Sequence, residues 1–138
     1  MNTFPPSGSS KRILVVEDEK PMRDVLEIAL GTGGFQVITA IDGSEAMSLA
    51  RLMHFDLVIA DMVMPGIAGI ETIMSLLAYD PGMKIIAMSG ALPGAKGDFL
   101  PLAKSLGAAA VLRKPFDRES FIGTVHGVLE HNERRMVG

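Results

Sequence analysis

Four places in the chain set a reactive side chain at or just past the end of an apolar run. Glu17 and Asp18 follow Ile13-Leu14-Val15-Val16, and Asp61 follows Leu57-Val58-Ile59-Ala60. Ser89 follows Ile85-Ile86-Ala87-Met88, and Lys114 comes two residues after Ala109-Ala110-Val111-Leu112. A carboxylate buried by itself is costly, so Asp61 needs partners elsewhere in the chain. Three carboxylates brought together repel one another and raise at least one pKa. A hard dication resolves that conflict, and Mg2+ suits oxygen donors with one or two carboxylates and phosphate oxygens. Three carboxylates, a dication and the Lys114 ammonium sum to zero charge. A carboxylate can also attack phosphorus to give an aspartyl phosphate, and phosphoryl transfer asks mainly for positioning and charge neutralisation. Asp61 is the candidate nucleophile because it stands alone, whereas Glu17-Asp18 form a pair suited to a cation. The Ser89 hydroxyl and the Lys114 ammonium are suited to phosphoryl oxygens.

The elements between these groups decide whether they can meet. The four runs, with Val37-Ile38-Thr39-Ala40, read as five short strands buried on both faces. Amphipathic stretches separate them. Pro21 opens the first, with Met22, Val25, Leu26 and Ala29 at helical spacing, and Gly31, Gly33 and Gly34 end it. Ala46, Met47, Ala50 and Met53 follow Asp42-Gly43; Ile70, Ile73, Met74 and Leu77 follow Gly69; Leu100, Ala103, Lys104 and Leu106 close at Gly107. The last helix starts from the N-cap residue Asp117 and carries Phe121, Ile122, Val125, Val128 and Leu129. Strand and helix alternate five times, which predicts an α/β fold with a doubly wound five-stranded parallel sheet, (βα)5. Ligands in such folds gather at the carboxyl ends of the strands. Glu17, Asp18, Asp61, Ser89 and Lys114 all stand at those ends.

Composition narrows the function classes. The 138 residues make about one domain, with a net charge of -3. No basic stripe interleaved with aromatics is present, so direct nucleic-acid binding by this chain is not expected. Mean hydropathy is +0.32, yet no apolar run approaches the roughly 18 residues of a spanning helix. There are no cysteines, which removes disulfides and thiolate chemistry and fits a reducing cytoplasm. His54, His126 and His131 are scattered and read as surface residues, and Met62 to Met64 as packing.

The stretches RILVVEDE (12–19), VIADMVMPG (58–66), MSG (88–90) and LRKPF (112–116) together resemble the receiver domain of two-component response regulators. The resemblance spans residues 11 to about 132 and implies the CheY-like, flavodoxin-like strand order 2-1-3-4-5. It leaves residues 1–10 as a flexible N-terminal tail and 133–138 as a C-terminal tail, with no room for an appended DNA-binding domain. It implies that Asp61 is the phosphoacceptor, charged by a sensor histidine kinase or a histidine phosphotransfer protein, in a non-enzyme module that then changes its binding to a downstream protein. It implies Mg2+ held by Asp18, Asp61 and the backbone carbonyl of Val63, with Glu17 acting through water, and Ser89 and Lys114 on the phosphoryl oxygens. It also implies a cis Lys114-Pro115 bond and a loop shaped by Pro65-Gly66.

One departure stands out: the aromatic usual three residues before the lysine is Val111 here, so coupling to the output face must use other contacts. ALPGAKGDFLP (91–101) reads as a mobile loop beside the site. Rival readings lack their signatures. A haloacid-dehalogenase-like phosphatase needs a DxD pattern on strand one, where Glu17-Asp18 are adjacent. A flavodoxin-like FMN carrier needs a phosphate loop and aromatics, and Tyr79 is the only tyrosine. A degenerate receiver acting only as an interaction module does not fit the filled reactive positions.

Overall fold

The computed structural model describes residues 10–62, 68–90 and 99–137. Five strands and five helices alternate: β1 (Arg12–Val16), α1 (Lys20–Thr32), β2 (Gln36–Ala40), α2 (Gly43–Leu52), β3 (Leu57–Asp61), α3 (Ala68–Tyr79), β4 (Ile85–Gly90), α4 (Phe99–Leu106), β5 (Ala110–Lys114) and α5 (Arg118–Val137). All strand pairs are parallel and the order is β2-β1-β3-β4-β5, so the expected fold class and strand order hold.

Alternation along the strands divides the core into two layers. Leu14 and Val16 of β1, with Val58 and Ala60 of β3, face Ala46, Ala50, Ile73, Leu76 and Ala103 on α2, α3 and α4. Ile13 and Val15, with Leu57 and Ile59, face Leu26, Leu30, Phe121 and Val125 on α1 and α5. A strand covered on both faces has no polar side to show, which explains why β1, β3 and β4 read as unbroken apolar runs. The edge strands are covered less. Val37, Ile38 and Thr39 of β2 are only half-buried, as are Ala110 and Val111 of β5, and Arg113 is exposed.

Local signals set the helix starts. Asp42 caps α2, its side chain accepting from the Glu45 N–H at 2.8 Å, while Glu45 accepts from the Ile41 N–H at 2.9 Å. Asp117 accepts from the Ser120 N–H at 2.7 Å. Gly107 ends α4 at φ +115°, a conformation open to glycine and strained for other residues.

Several expectations shift. Val25 is 61% exposed, and Leu30 takes the place in the α1 stripe, because the sheet covers the line through Met22, Leu26, Ala29 and Leu30. On α3, Met74 is 52% exposed and Leu76 is fully buried. The fifth strand runs Ala110–Lys114 rather than from Ala109, its pairing drawn on by β4 as far as Gly90. The helix α5 continues to Val137, past the boundary expected at 132. The expected N-terminal tail, except Ser10, and Pro65-Gly66 lie outside the described residues. So does the loop expected at 91–101, except for its last three residues, which begin α4. Among the described residues no helix is long and apolar enough to cross a membrane.

Candidate functional site

Parallel register brings the carboxyl ends of β1, β3, β4 and β5 level. Val16 pairs with Ala60, Asp61 with Met88, and Gly90 with Lys114, so Glu17, Asp61, Ser89 and Lys114 reach the same rim. Glu17, Asp61 and Ser89 are buried, at 0%, 2% and 2% exposure, while Asp18 faces solvent. Carboxylate oxygens of Glu17, Asp18 and Asp61 lie within 4.8 Å of one another.

The ammonium of Lys114 bridges the two buried acids. It donates to Asp61 Oδ2 at 3.0 Å and to Glu17 Oε1 at 3.2 Å, across 53 and 97 residues of sequence. Its own side chain is 17% exposed, so the contacts work in a poorly solvated setting where they are stronger than on an open surface. Burial, with the charge of Asp61 second, pushes the Glu17 carboxyl up to about 7. The Glu19 N–H, which donates to Glu17 Oε2 at 3.2 Å, and the Lys114 charge pull the other way and lose. For Lys114 burial is the largest influence and acts to lower the pKa. The hydrogen bond and charge of Asp61, joined by Glu17, outweigh it and hold the ammonium above its usual value.

The loop after β1 is held by a residue that motif reading passed over. Arg23, in the first turns of α1, donates to the Glu17 carbonyl at 2.8 Å and to the Asp18 carbonyl at 3.3 Å. Its position five and six residues after the acids was the available signal, but many arginines on a helix only reach solvent. On β3, the Met62 N–H donates to the Met88 carbonyl at 2.7 Å, which prolongs the pairing one residue beyond Asp61. Ser89 Oγ donates to the Gly90 carbonyl at 3.3 Å. Val111 pairs with Ala87 and packs half-buried against the α2–α4 side of the core. The Lys114-Pro115 bond is cis, as expected. Val63 lies outside the described residues.

The donor set fits a hard dication. It is all oxygen, three carboxylates meet within one coordination span, and two of them, Glu17 and Asp61, are buried. Lys114 supplies a single positive charge against three negative ones. Together the groups set a buried carboxylate beside two others that could hold a cation, with a cationic hydrogen-bond donor already in contact with it.

The model of the response regulator receiver domain matches residues 13–126. Among similar proteins, the DNA-binding response regulator MtrA of Mycolicibacterium smegmatis is 33% identical over 125 residues, covering 89% of this chain and 52% of that protein. The cell cycle transcriptional regulator CtrA of Caulobacter vibrioides is 26% identical over 122 residues, covering 88% and 52%. The chain thus spans about half the length of these relatives. A CheY-like response regulator receiver domain protein from Methanospirillum hungatei superposes with a TM-score of 0.83 at 26% identity, covering 92% of this chain and 99% of that one. The chemotaxis protein CheY4 of Vibrio cholerae gives 0.77 at 27% identity, covering 88% and 100%.

Proposed function

This chain belongs to the response regulator receiver domain family, and on that premise we propose that it takes a phosphoryl group onto Asp61 in a Mg2+-dependent reaction. The observation that carries the reading is the Lys114–Asp61 contact at 3.0 Å inside the cluster of three carboxylates. A nucleophile, a cation site and a phosphoryl-oxygen donor are thereby adjacent.

The donor is a phosphohistidine on a sensor kinase or a phosphotransfer protein. An Asp61 carboxylate oxygen attacks phosphorus, the O–P bond forms, and the P–N bond to the donor imidazole breaks. Glu17, Asp18, Asp61 and the Val63 carbonyl would hold Mg2+. When bound, it supplies positive charge for the phosphoryl oxygens and cancels the repulsion among the acids. Lys114 then keeps its ammonium at the Asp61 oxygens and follows the charge onto the phosphoryl group. A lysine ammonium, whose ordinary pKa is about 10.4, stays protonated near neutral pH. Ser89, on the neighbouring strand end, donates its hydroxyl to a phosphoryl oxygen, giving up the Gly90 carbonyl.

Because an acyl phosphate hydrolyses readily, the mark is reversible, and its output is altered binding to a downstream protein partner. The site reads as an active receiver rather than a degenerate one, since every reactive position is occupied by a competent group. The test uses acetyl phosphate and Mg2+ as the small-molecule donor system. The wild type should gain an acid-stable, base-labile phosphoryl label, and Asp61→Asn should gain none. Equal labelling of Asp61→Asn would remove Asp61 from the role.

A further inference from the structure

We infer that Gly69 is a positioning residue for the acidic site, acting through the backbone of Met62. This rests on the reading of Glu17, Asp18 and Asp61 as a Mg2+ site. Gly69 is the second residue of α3, and Met62 directly follows Asp61. A Cβ placed on Gly69 would lie 2.6 Å from both the carbonyl carbon and the Cα of Met62, and would also meet its carbonyl oxygen. Real Cβ atoms do not come within 3.0 Å of such neighbours, so one of the two segments must move.

The clash is with main chain, so no side-chain rotation relieves it. The main chain in question is pinned on its other side, where the Met62 N–H donates to the Met88 carbonyl at 2.7 Å. Movement at Met62 therefore passes to Asp61, whose oxygen sits 3.0 Å from Lys114. A ligand set for Mg2+ tolerates little of this, because octahedral coordination at about 2.1 Å demands close placement and working sites need side chains held to within about 0.5 Å. The absence of a side chain at 69 lets α3 start against the end of β3 without displacing the carboxylate. A glycine there serves the close approach of α3 to the end of β3 rather than the formation of the helix.

Gly43 provides a matched control. A Cβ there would run into Thr72 Oγ1, between α2 and α3, and that clash is with a side chain. Wild type, Gly69→Ala and Gly43→Ala are titrated with Mg2+ alone, and their melting curves are recorded. Gly69→Ala should melt cooperatively and bind Mg2+ about tenfold or more weakly, the loss seen when groups that orient metal ligands are disturbed. Gly43→Ala should bind Mg2+ like the wild type even though its melting point falls. Binding by Gly69→Ala within about twofold of wild type would overturn the inference, as would an equal loss in Gly43→Ala. If Gly69→Ala does not fold, the wild type still decides. The Gly69 amide resonance should shift with Mg2+ at the same midpoint as that of Met62, and a silent Gly69 beside a responding Met62 would refute the coupling. No saturable Mg2+ binding by the wild type would sink the metal-site reading itself, and the inference with it.

Discussion

Replacing Glu17 by Gln in the metal-free protein should invert the usual expectation that losing a charged residue costs stability. The buried Glu17 carboxyl has its pKa raised from 4.5 to about 7. A carboxyl that binds its proton more tightly in the folded state adds stability at acid pH. That contribution is complete below 4.5 and is lost as pH rises through about 7. At 1.36 kcal/mol per pKa unit, the rise corresponds to about 3 kcal/mol. Glutamine keeps the shape and stays neutral throughout. In chelator, the difference in unfolding free energy between wild type and Glu17→Gln should therefore swing by about 2–3 kcal/mol between pH 5 and pH 8, with the wild type relatively weaker at pH 8. For a chain of this length that is a relative shift in melting temperature of roughly 10 °C. Millimolar Mg2+ at pH 8 should return most of the lost stability to the wild type, because binding to the folded state alone stabilises it. Urea melts at several pH values, with and without chelator, give the comparison. Parallel curves for the two proteins from pH 5 to 8 would refute the burial and repulsion argument.

Other outcomes follow from contacts elsewhere. Lys114→Ala leaves Glu17 and Asp61 without their shared cation and should cost about 3–5 kcal/mol in chelator, as a broken buried pair does, with much of the loss recovered in Mg2+ as read by thermal melts. Phe121 is 1% exposed and stacked on Phe116 with ring centroids 5.5 Å apart. Phe121→Ala should lose about 3–5 kcal/mol in denaturant unfolding. Asp42→Ala removes the α2 cap and should cost about 0.5–2 kcal/mol, while leaving phosphoryl labelling at wild-type level in the acetyl phosphate assay.

The layered sheet was legible because β1, β3 and β4 are covered on both faces and therefore spell apolar runs without a polar break. Strand ends were legible for the same reason, since Asp61 and Ser89 interrupt those runs where the core stops. The helix faces were less so. Val25 and Met74 sit at helical spacing with core residues yet point outward, because period alone does not say which part of a wide apolar arc the sheet will cover. The edge strands blurred for a related reason: half-buried residues such as Val37 and Ala110 obey neither pattern fully. At the site, the charged groups announced themselves by type. Arg23 and Gly69 did not, since one acts through carbonyl contacts and the other through the side chain it lacks.

The partly covered edge strand β5 bears on how the protein behaves in crowded solution. A strand at a sheet's margin offers unpaired amide and carbonyl groups to any passing copy, and chains that leave such a margin long and greasy tend to precipitate. Here the margin is five residues long, Arg113 stands outward on it, and Pro115 follows at once with no amide hydrogen to extend a ladder. The rim that gathers the reactive groups is thus bordered by a strand ill-suited to recruiting neighbours through its backbone. At this edge, encounters with other proteins are left to side-chain surfaces, where selectivity can be tuned without risking fibres.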